Sequence, residues 1–404
     1  MVAHTLAESQ GVWAVVERLA AGATAARADL LVLPECTYPA YWLQSRDAYE
    51  AGRYLDTPEV LRRFGAIARA GGFWLVAGLV EEAGDRLYNS AAVIDRTGRV
   101  IGIARKSFLW DCDNRWFSPA EQLSVFDTEL GRLGVMICAD GRAPEIAATL
   151  AAKGAEFIVM PTAWVNAAKG TGRFENPQAD FLIRARAREF AVPFACADKS
   201  GREADAMEYV GQSQIVDASG NVTAIAAIEG EHLVVGEVTP QRATPARLTG
   251  SQRAILSGGA ESFPAGRLEI KVRVSESMKV IDLEAAVRNA NGRHSLLTAD
   301  DLRAFAPARC AALSESQLLI VSGHAEDDVF PRARAMENRV FVAVFGESGL
   351  EMVVSPTGHV LWNRQRDNWA AQPGFELNLA LADNKCVTPE TDIWLQRRVG
   401  AYAY

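Results

Sequence analysis

Histidine is scarce in this chain. Only His4, His232, His294, His324 and His359 occur among 404 residues, and no two sit at the spacing of metal ligands on one helical turn. The six cysteines, Cys36, Cys112, Cys138, Cys196, Cys310 and Cys386, are equally scattered, with no CxxC pair. That argues against a structural zinc site. No apolar run approaches the ~20 residues of a membrane span. No basic segment followed by an apolar one marks a secretory leader, so the chain is read as cytoplasmic, with reduced thiols. Positive charge is not in excess, with 42 Lys and Arg against 50 Asp and Glu and a net charge of −8. Bulk electrostatics therefore give no reason to expect a nucleic acid or an anionic membrane as partner. GxGxxG, phosphate-loop and GxSxG patterns are all missing, which argues against a nucleotide site and against a serine nucleophile elbow.

What is present is ordinary globular composition, 49% apolar and 23% charged, enough for more than one domain. Apolar residues recur at helical spacing through Val12-Trp13, Val15-Val16 and Leu19, and Leu30 to Leu33 then reads as a strand ending at Pro34-Glu35. Phe73 to Val80 is a second buried strand. Asn89 to Asp95 and Val100 to Leu109 form a hairpin, as do Ser124 to Phe126 and Leu133 to Cys138. Pro144 to Lys153 is helical, with Pro near its start and Gly154 past its end. Strands alternating with helices and mixed with hairpins indicate a layered α/β protein.

Between Pro240 and Gly266 the texture changes to Thr, Ser, Gly, Pro and Arg, which reads as a linker. Beyond it the chain repeats itself. Arg184 to Gly201 matches Arg332 to Gly349 without a gap, with nine of eighteen positions identical. Cys138-Ala-Asp140 is answered by Thr298-Ala-Asp300, each after a Gly-Arg turn and an apolar strand. An internal repeat of this kind is a fold-level signal. The predicted organisation is a catalytic domain over 1–240, a linker over 241–267 and a degenerate half-domain over 268–404. Arg184, Arg186 and Arg188 read as an ion-paired helix face.

Three residues carry the chemistry. Cys138 lies where a strand turns sharply into a helix, a geometry that exposes a nucleophile to backbone N–H groups. A lone cysteine is most often a core residue. Its ordinary thiol is only a few per cent ionised at neutral pH, so it needs a base and a cation nearby. Glu35 ends an apolar strand, where a solvated loop is the commoner explanation for a carboxylate. Lys106 interrupts an apolar stretch, where it either snorkels to the surface or is a buried cation in need of a carboxylate.

Taken together, these pieces resemble the nitrilase superfamily of carbon–nitrogen hydrolases, over residues 10 to 240. The matching stretches are Leu-Val-Leu-Pro-Glu35, Ala-Arg-Lys106 with Trp110 to Pro119, Gly134-Val-Met-Ile-Cys138-Ala-Asp-Gly-Arg142-Ala-Pro-Glu145, and Gly154 to Trp164. The resemblance implies a four-layer α-β-β-α sandwich, with the C-terminal half-copy as a partial repeat of it. It implies a Glu35, Lys106, Cys138 triad, with Asp113 supporting the lysine (Asp111 is its substitute) and Ala139 offering an oxyanion N–H. Trp164, Asn166 and Tyr41 are then substrate-contact candidates. No cofactor and no metal are implied.

The substrate class follows from the same resemblance. Nitrilases of that family commonly carry Trp-Glu after the cysteine, whereas Ala139-Asp140 here is closer to the amidase and carbamoylase branches. The expected activity is thiol-dependent hydrolysis of a small amide or N-carbamoyl compound through a Cys138 thioester. Nitrile hydrolysis and a non-catalytic binding protein are the alternatives. The expected partner is a small-molecule amide, carbamoyl or nitrile substrate, and the resemblance implies a homo-oligomer. Family members open with an apolar strand that Met1 to Gln10 does not supply, so a sheet is expected to carry an unfilled edge or gap.

Overall fold

The computed structural model describes residues 6–43, 45–204, 206–258, 294–347, 349–366 and 377–403. They divide into two compact units. One holds residues 1–246 with 388–391 and 396–404, and the other holds 247–387 with 392–395.

The first unit begins with α1 (Leu6–Ala25), β1 (Leu30–Val32), α2 (Arg46–Ala51), α3 (Thr57–Gly71), β2 (Trp74–Ala83), β3 (Arg86–Ile94), β4 (Val100–Arg105) and α4 (Asp113–Trp116). It continues with β5 (Val125–Thr128), β6 (Gly131–Val135), α5 (Pro144–Ala152), β7 (Phe157–Pro161), α6 (Ile183–Phe190), β8 (Phe194–Ala197), β9 (Ser200–Glu203), β10 (Met207–Val210), β11 (Gln214–Val216) and β12 (Val222–Ile225). One sheet has the order β1-β2-β3-β4, and the second has the order β12-β11-β8-β7-β6-β5. β6, β7 and β8 are parallel, and β7 is buried along its whole length, as a central parallel strand must be. With helices on the outer faces this is the expected α-β-β-α sandwich.

Local sequence explains the elements that matter. The side chain of Asp56 accepts the Glu59 N–H, a proline occupies the first turn of α3, and Gly72 closes it in the left-handed conformation. Val60, Phe64 and Ala68 then fall on one face of α3 and pack with Val12, Trp13 and Val16 of α1 over Leu31, Leu75 and Leu79. Gly78 is required where β2 passes the Glu35 corner. A Cβ there would lie 2.2 Å from the Pro34 carbonyl oxygen.

Among the described residues β1 pairs only with β2. Its other edge faces a cavity of about 1110 Å³ walled by α1, β8 and residues 233–239.

The second unit contains α7 (Gly250–Leu256), β13 (His294–Thr298), α8 (Phe305–Leu313), β14 (Leu318–Ser322), α9 (Val329–Asn338), β15 (Phe341–Gly346), β16 (Gly349–Val354) and β17 (Val360–Asn363). Its sheet has the order β13-β14-β15-β16-β17, two parallel pairings followed by two antiparallel ones. The run β6-β7-β8-β11-β12 has the same order and directions. The side chains agree too. Arg184 Nε donates to the Gly220 carbonyl at 3.0 Å, and Arg332 Nε to the Gly358 carbonyl at 2.9 Å. Arg186 and Arg334 are both fully buried, each paired with the glutamate three residues on, Glu189 and Glu337. The central arginine of α6 is therefore ion-paired, as the sequence reading has it, and interior.

The stretch read as a linker carries a short helix. Thr249 and Gln252 form a reciprocal capping box that nucleates α7 inside it. The rest of that stretch, from residue 259, lies outside the described residues.

Candidate active site

Three strand ends bring the candidate residues together. After β1 the Leu33 N–H still bonds the Val76 carbonyl of β2, while the Glu35 N–H reaches the Thr162 carbonyl just past β7 at 3.3 Å. Glu35 thus sits where the two sheets meet. Lys106 follows β4, held by its N–H to the Asn89 carbonyl and by its own carbonyl to the Ala120 N–H, both at 2.8 Å. Cys138 follows β6 and opens a 3₁₀ turn, Cys138–Arg142, with a φ of +44°. A non-glycine residue in that region stores strain and projects its side chain sharply.

The polar core is dense. Lys106 Nζ donates to Glu35 Oε1 at 2.7 Å and to Asp113 Oδ2 at 2.6 Å, and none of the three side chains is exposed. Asn89 Nδ2 donates to the same Glu35 Oε1 at 2.6 Å. Glu35 Oε2 has no hydrogen-bond partner among the described residues. Tyr41 places its ring under the ammonium, 5.6 Å from Nζ to the centroid, a cation–π arrangement. Burial works to lower the Lys106 ammonium, but the Asp113 and Glu35 carboxylates outweigh it and hold the group well above its ordinary pKa. Burial pushes the Asp113 carboxyl up, against the pull of Lys106.

The Cys138 thiol feels both Glu35 and Lys106. Burial and the Glu35 charge raise its pKa well above the usual range, while Lys106 and the Ala163 N–H draw it down. At rest it is a thiol, which a neighbouring base must deprotonate.

Asp140 ties the nucleophile turn to the lysine's loop. Its Oδ1 accepts the N–H groups of Ser107 (3.0 Å) and Phe108 (2.8 Å), and its Oδ2 accepts that of Ile137 (2.9 Å). Burial lifts the pKa of this carboxyl to about 6. Gln178 stands in a π-helical turn, Gln178–Leu182, ahead of α6. With its amide oriented to suit both neighbours, it donates to the Cys138 carbonyl at 2.6 Å and accepts from the Trp164 indole at 3.3 Å.

The sequence-predicted residues thus separate into groups. Glu35, Lys106, Asp113, Cys138 and Tyr41 converge on one buried centre. Asp113 reaches the lysine despite its short side chain, because its loop folds back and the Trp110 N–H also donates to Oδ2 at 2.9 Å. Ala139 is buried beside Cys138. Trp164 is fully buried, with its N–H on Asp198 at 2.7 Å. Asn166 spends its amide on its own loop and on Glu208, at 2.7 Å. Sequence reasoning missed Asn89, Asp140, Ala163 and Gln178. Asn89 had a faint signal, as an amide in the middle of an apolar strand. Ala163 had none, because it acts through its backbone.

Comparison with known proteins identifies the family. A family model described as carbon–nitrogen hydrolase matches residues 2–248. The chain is 34% identical over 224 residues to a nitrilase of Pyrococcus abyssi, covering 55% of this chain and 81% of that protein. It is 28% identical to the N-carbamoylputrescine amidase of Solanum tuberosum, over 55% of this chain and 79% of that one. The crystal structure of a carbon–nitrogen hydrolase from Helicobacter pylori superposes with a TM-score of 0.53 at 25% identity, covering 59% of this chain and 86% of the other.

Proposed function

Because the chain belongs to the carbon–nitrogen hydrolase family, an enzyme class acting on non-peptide C–N bonds, we propose that it hydrolyses a small amide or N-carbamoyl compound with Cys138 as nucleophile. The observation that carries this reading is the unpaired Oε2 of Glu35, beside a Cys138 thiol that burial keeps protonated. Glu35 accepts the thiol proton through that oxygen, and the sulfur attacks the carbonyl carbon. The Lys106 ammonium and the Ala139 N–H receive the developing oxyanion. Glu35 returns its proton to the departing ammonia or amine, leaving a Cys138 thioester. Glu35 then takes a proton from water, the hydroxide adds to the thioester, and the carboxylic acid leaves as the thiol reforms.

Asp113 and Asn89 hold Lys106 and Glu35 in register. Tyr41 walls the centre, and Trp164 and Asn166 are kept as proposed substrate contacts. Named relatives act on amides and on N-carbamoylputrescine, which supports the amide class. A nitrilase among the relatives favours the second reading, hydrolysis of a nitrile. The 268–404 region is proposed as a degenerate copy without catalytic function.

Incubation with panels of amides, N-carbamoyl amines and nitriles, assayed for ammonia, tests the assignment. Release from the first two panels, lost in Cys138→Ala, is expected. Release from nitriles alone would shift the reading to a nitrilase, and release from none would overturn it.

A further inference from the structure

The chain returns to its first unit at its far end. Residues 388–391 and 396–404 belong to the same compact unit as residues 1–246, although more than 250 positions separate them from the residues they touch. They meet the active-site scaffold at two places.

The first is the loop that carries Asp113. Thr391 is fully buried, and its Oγ accepts the Asp111 N–H at 2.6 Å. Asp111 has a φ of +43°, a strained conformation for a residue with a side chain. Asn114 Nδ2 donates to the Glu390 carbonyl at 2.9 Å and Gln396 Nε2 donates to Asn114 Oδ1 at 2.9 Å. Arg115 Nε lies 2.8 and 2.9 Å from the two Glu390 carboxylate oxygens. The second place is α5, the helix after the nucleophile turn. Arg397 Nε donates to Glu145 Oε1 at 3.0 Å, with both side chains nearly or fully buried. The Ala403 N–H donates to Thr149 Oγ at 3.0 Å.

The inner side of the same loop is held by the catalytic centre. Asp140 accepts the Ser107 and Phe108 N–H groups, and the Arg142 guanidinium lies over the Trp110 ring, 4.0 Å from its centroid. Asp113 then reaches Lys106. The loop is clamped from inside by residues of the nucleophile turn and from outside by Glu390, Thr391 and Gln396. A buried cation held by two carboxylates depends steeply on their placement, because charges in a low-dielectric interior have no water to compensate a displacement.

We propose that this closing segment is a working part of the active site, with Thr391 and Arg397 as positioning residues that fix Asp113, and through it Lys106, from 280 residues away. Thr391 pins the strained Asp111 and so sets the reach of the Asp113 carboxylate. Arg397 neutralises Glu145 at the start of α5 and keeps that helix seated behind Cys138. The inference rests on the reading of Glu35, Lys106 and Cys138 as the reacting centre.

The test is alkylation of Cys138 by iodoacetamide in the full chain, with rates read at that residue by peptide mass spectrometry between pH 6 and 10. Glu35→Gln serves as the control on the underlying reading. Thr391→Val keeps the shape and removes the oxygen. It is expected to slow Cys138 alkylation about tenfold, the usual scale for losing a group that orients a reacting one. The basic limb of the pH profile should also move to lower pH, because a displaced Asp113 supports the Lys106 ammonium less. Thr391→Ser should restore both rate and profile, which a merely structural defect would not do.

Arg397→Lys and Arg397→Met give the same comparison at α5, and Glu390→Ala, at a more exposed pair, keeps the test available if Thr391→Val does not fold. Wild-type rates and profiles in Thr391→Val, or in Glu390→Ala and Arg397→Met together, would overturn the positioning role. A Glu35→Gln rate equal to wild type would instead overturn the reading of the centre itself.

Discussion

Lys106 Nζ lies 2.6 Å from Asp113 Oδ2, with neither side chain open to solvent and a second carboxylate, Glu35, on the same ammonium. Removing the cation leaves two buried carboxylates facing each other. Lys106→Met is therefore expected to destabilise the protein by about 3–5 kcal/mol, the scale for breaking a buried ion pair. Neutralising all three positions, as Lys106→Met with Glu35→Gln and Asp113→Asn, should recover most of that loss while leaving activity absent. Urea denaturation of the single and triple variants measures it. A single variant as stable as wild type would mean that the cluster is not charged as drawn.

The free oxygen of Glu35 makes a separate prediction. Glu35→Gln keeps the acceptor that Asn89 and Lys106 use and removes the base. Turnover should fall by about 10²- to 10⁴-fold, the usual share of general acid–base catalysis. KM should change little, and the thermal midpoint should hold. Iodoacetamide at limiting dose should label Cys138 faster than the buried Cys36, Cys112, Cys196 and Cys310, and only the exposed Cys386 should compete on access alone. The Cys138 adduct should slow in Glu35→Gln, whereas the Cys386 adduct should not. Equal slowing at both would point to a global effect.

Much of this candidate centre was legible in the sequence because Glu35, Lys106 and Cys138 each follow a strand. Glu35 closes an apolar run, Cys138 precedes a turn signal, and Asp113 keeps a fixed distance from Phe117-Ser-Pro119. The likeness of residues 184–201 to residues 332–349 was read from the sequence, and the buried Arg186 and Arg334 fit the gapless match of α6 with α9. What stayed hidden acts without a local signature. Ala163 contributes a backbone N–H, which any residue supplies. Arg186 was read as part of an ion-paired helix face; its pair with Glu189 agrees, while its complete burial is decided by tertiary packing that helical spacing does not show. Thr391 and Arg397 reach the scaffold across hundreds of positions, where no spacing rule applies.

Asp140 offers a pH test with a defined sign. Its carboxyl has a pKa of about 6 in the folded protein, raised from an ordinary 3.8 by burial. The folded state therefore holds the proton more tightly than the unfolded chain, and this contribution to stability is complete below about pH 4. It is lost as pH rises through about 6. Asp140→Asn cannot ionise, so its stability should carry a constant penalty without that slope. Urea titrations at pH 4.5, 6 and 7.5 should show wild type losing ground relative to Asp140→Asn, by roughly 2 kcal/mol across that window. Parallel curves would show that the three N–H groups already compensate the buried charge.

The proposed repeat makes the last prediction, because on that alignment its second copy departs from the first at the nucleophile. Thr298 takes the place of Cys138 in the alignment, but it is exposed and its hydroxyl is turned onto Asp301 Oδ2 at 2.8 Å. Cys138 has a φ of +44°, and Thr298 is not among the residues of positive φ. On the proposed alignment the second copy lacks the strained turn as well as the sulfur. Restoring the sulfur alone should restore nothing. Thr298→Cys in a Cys138→Ala background is expected to stay inactive on every amide tested. Its new thiol should alkylate at the pace of the exposed Cys386 and ignore Glu35→Gln. Turnover in that double variant would show that the second copy retains a reacting centre of its own.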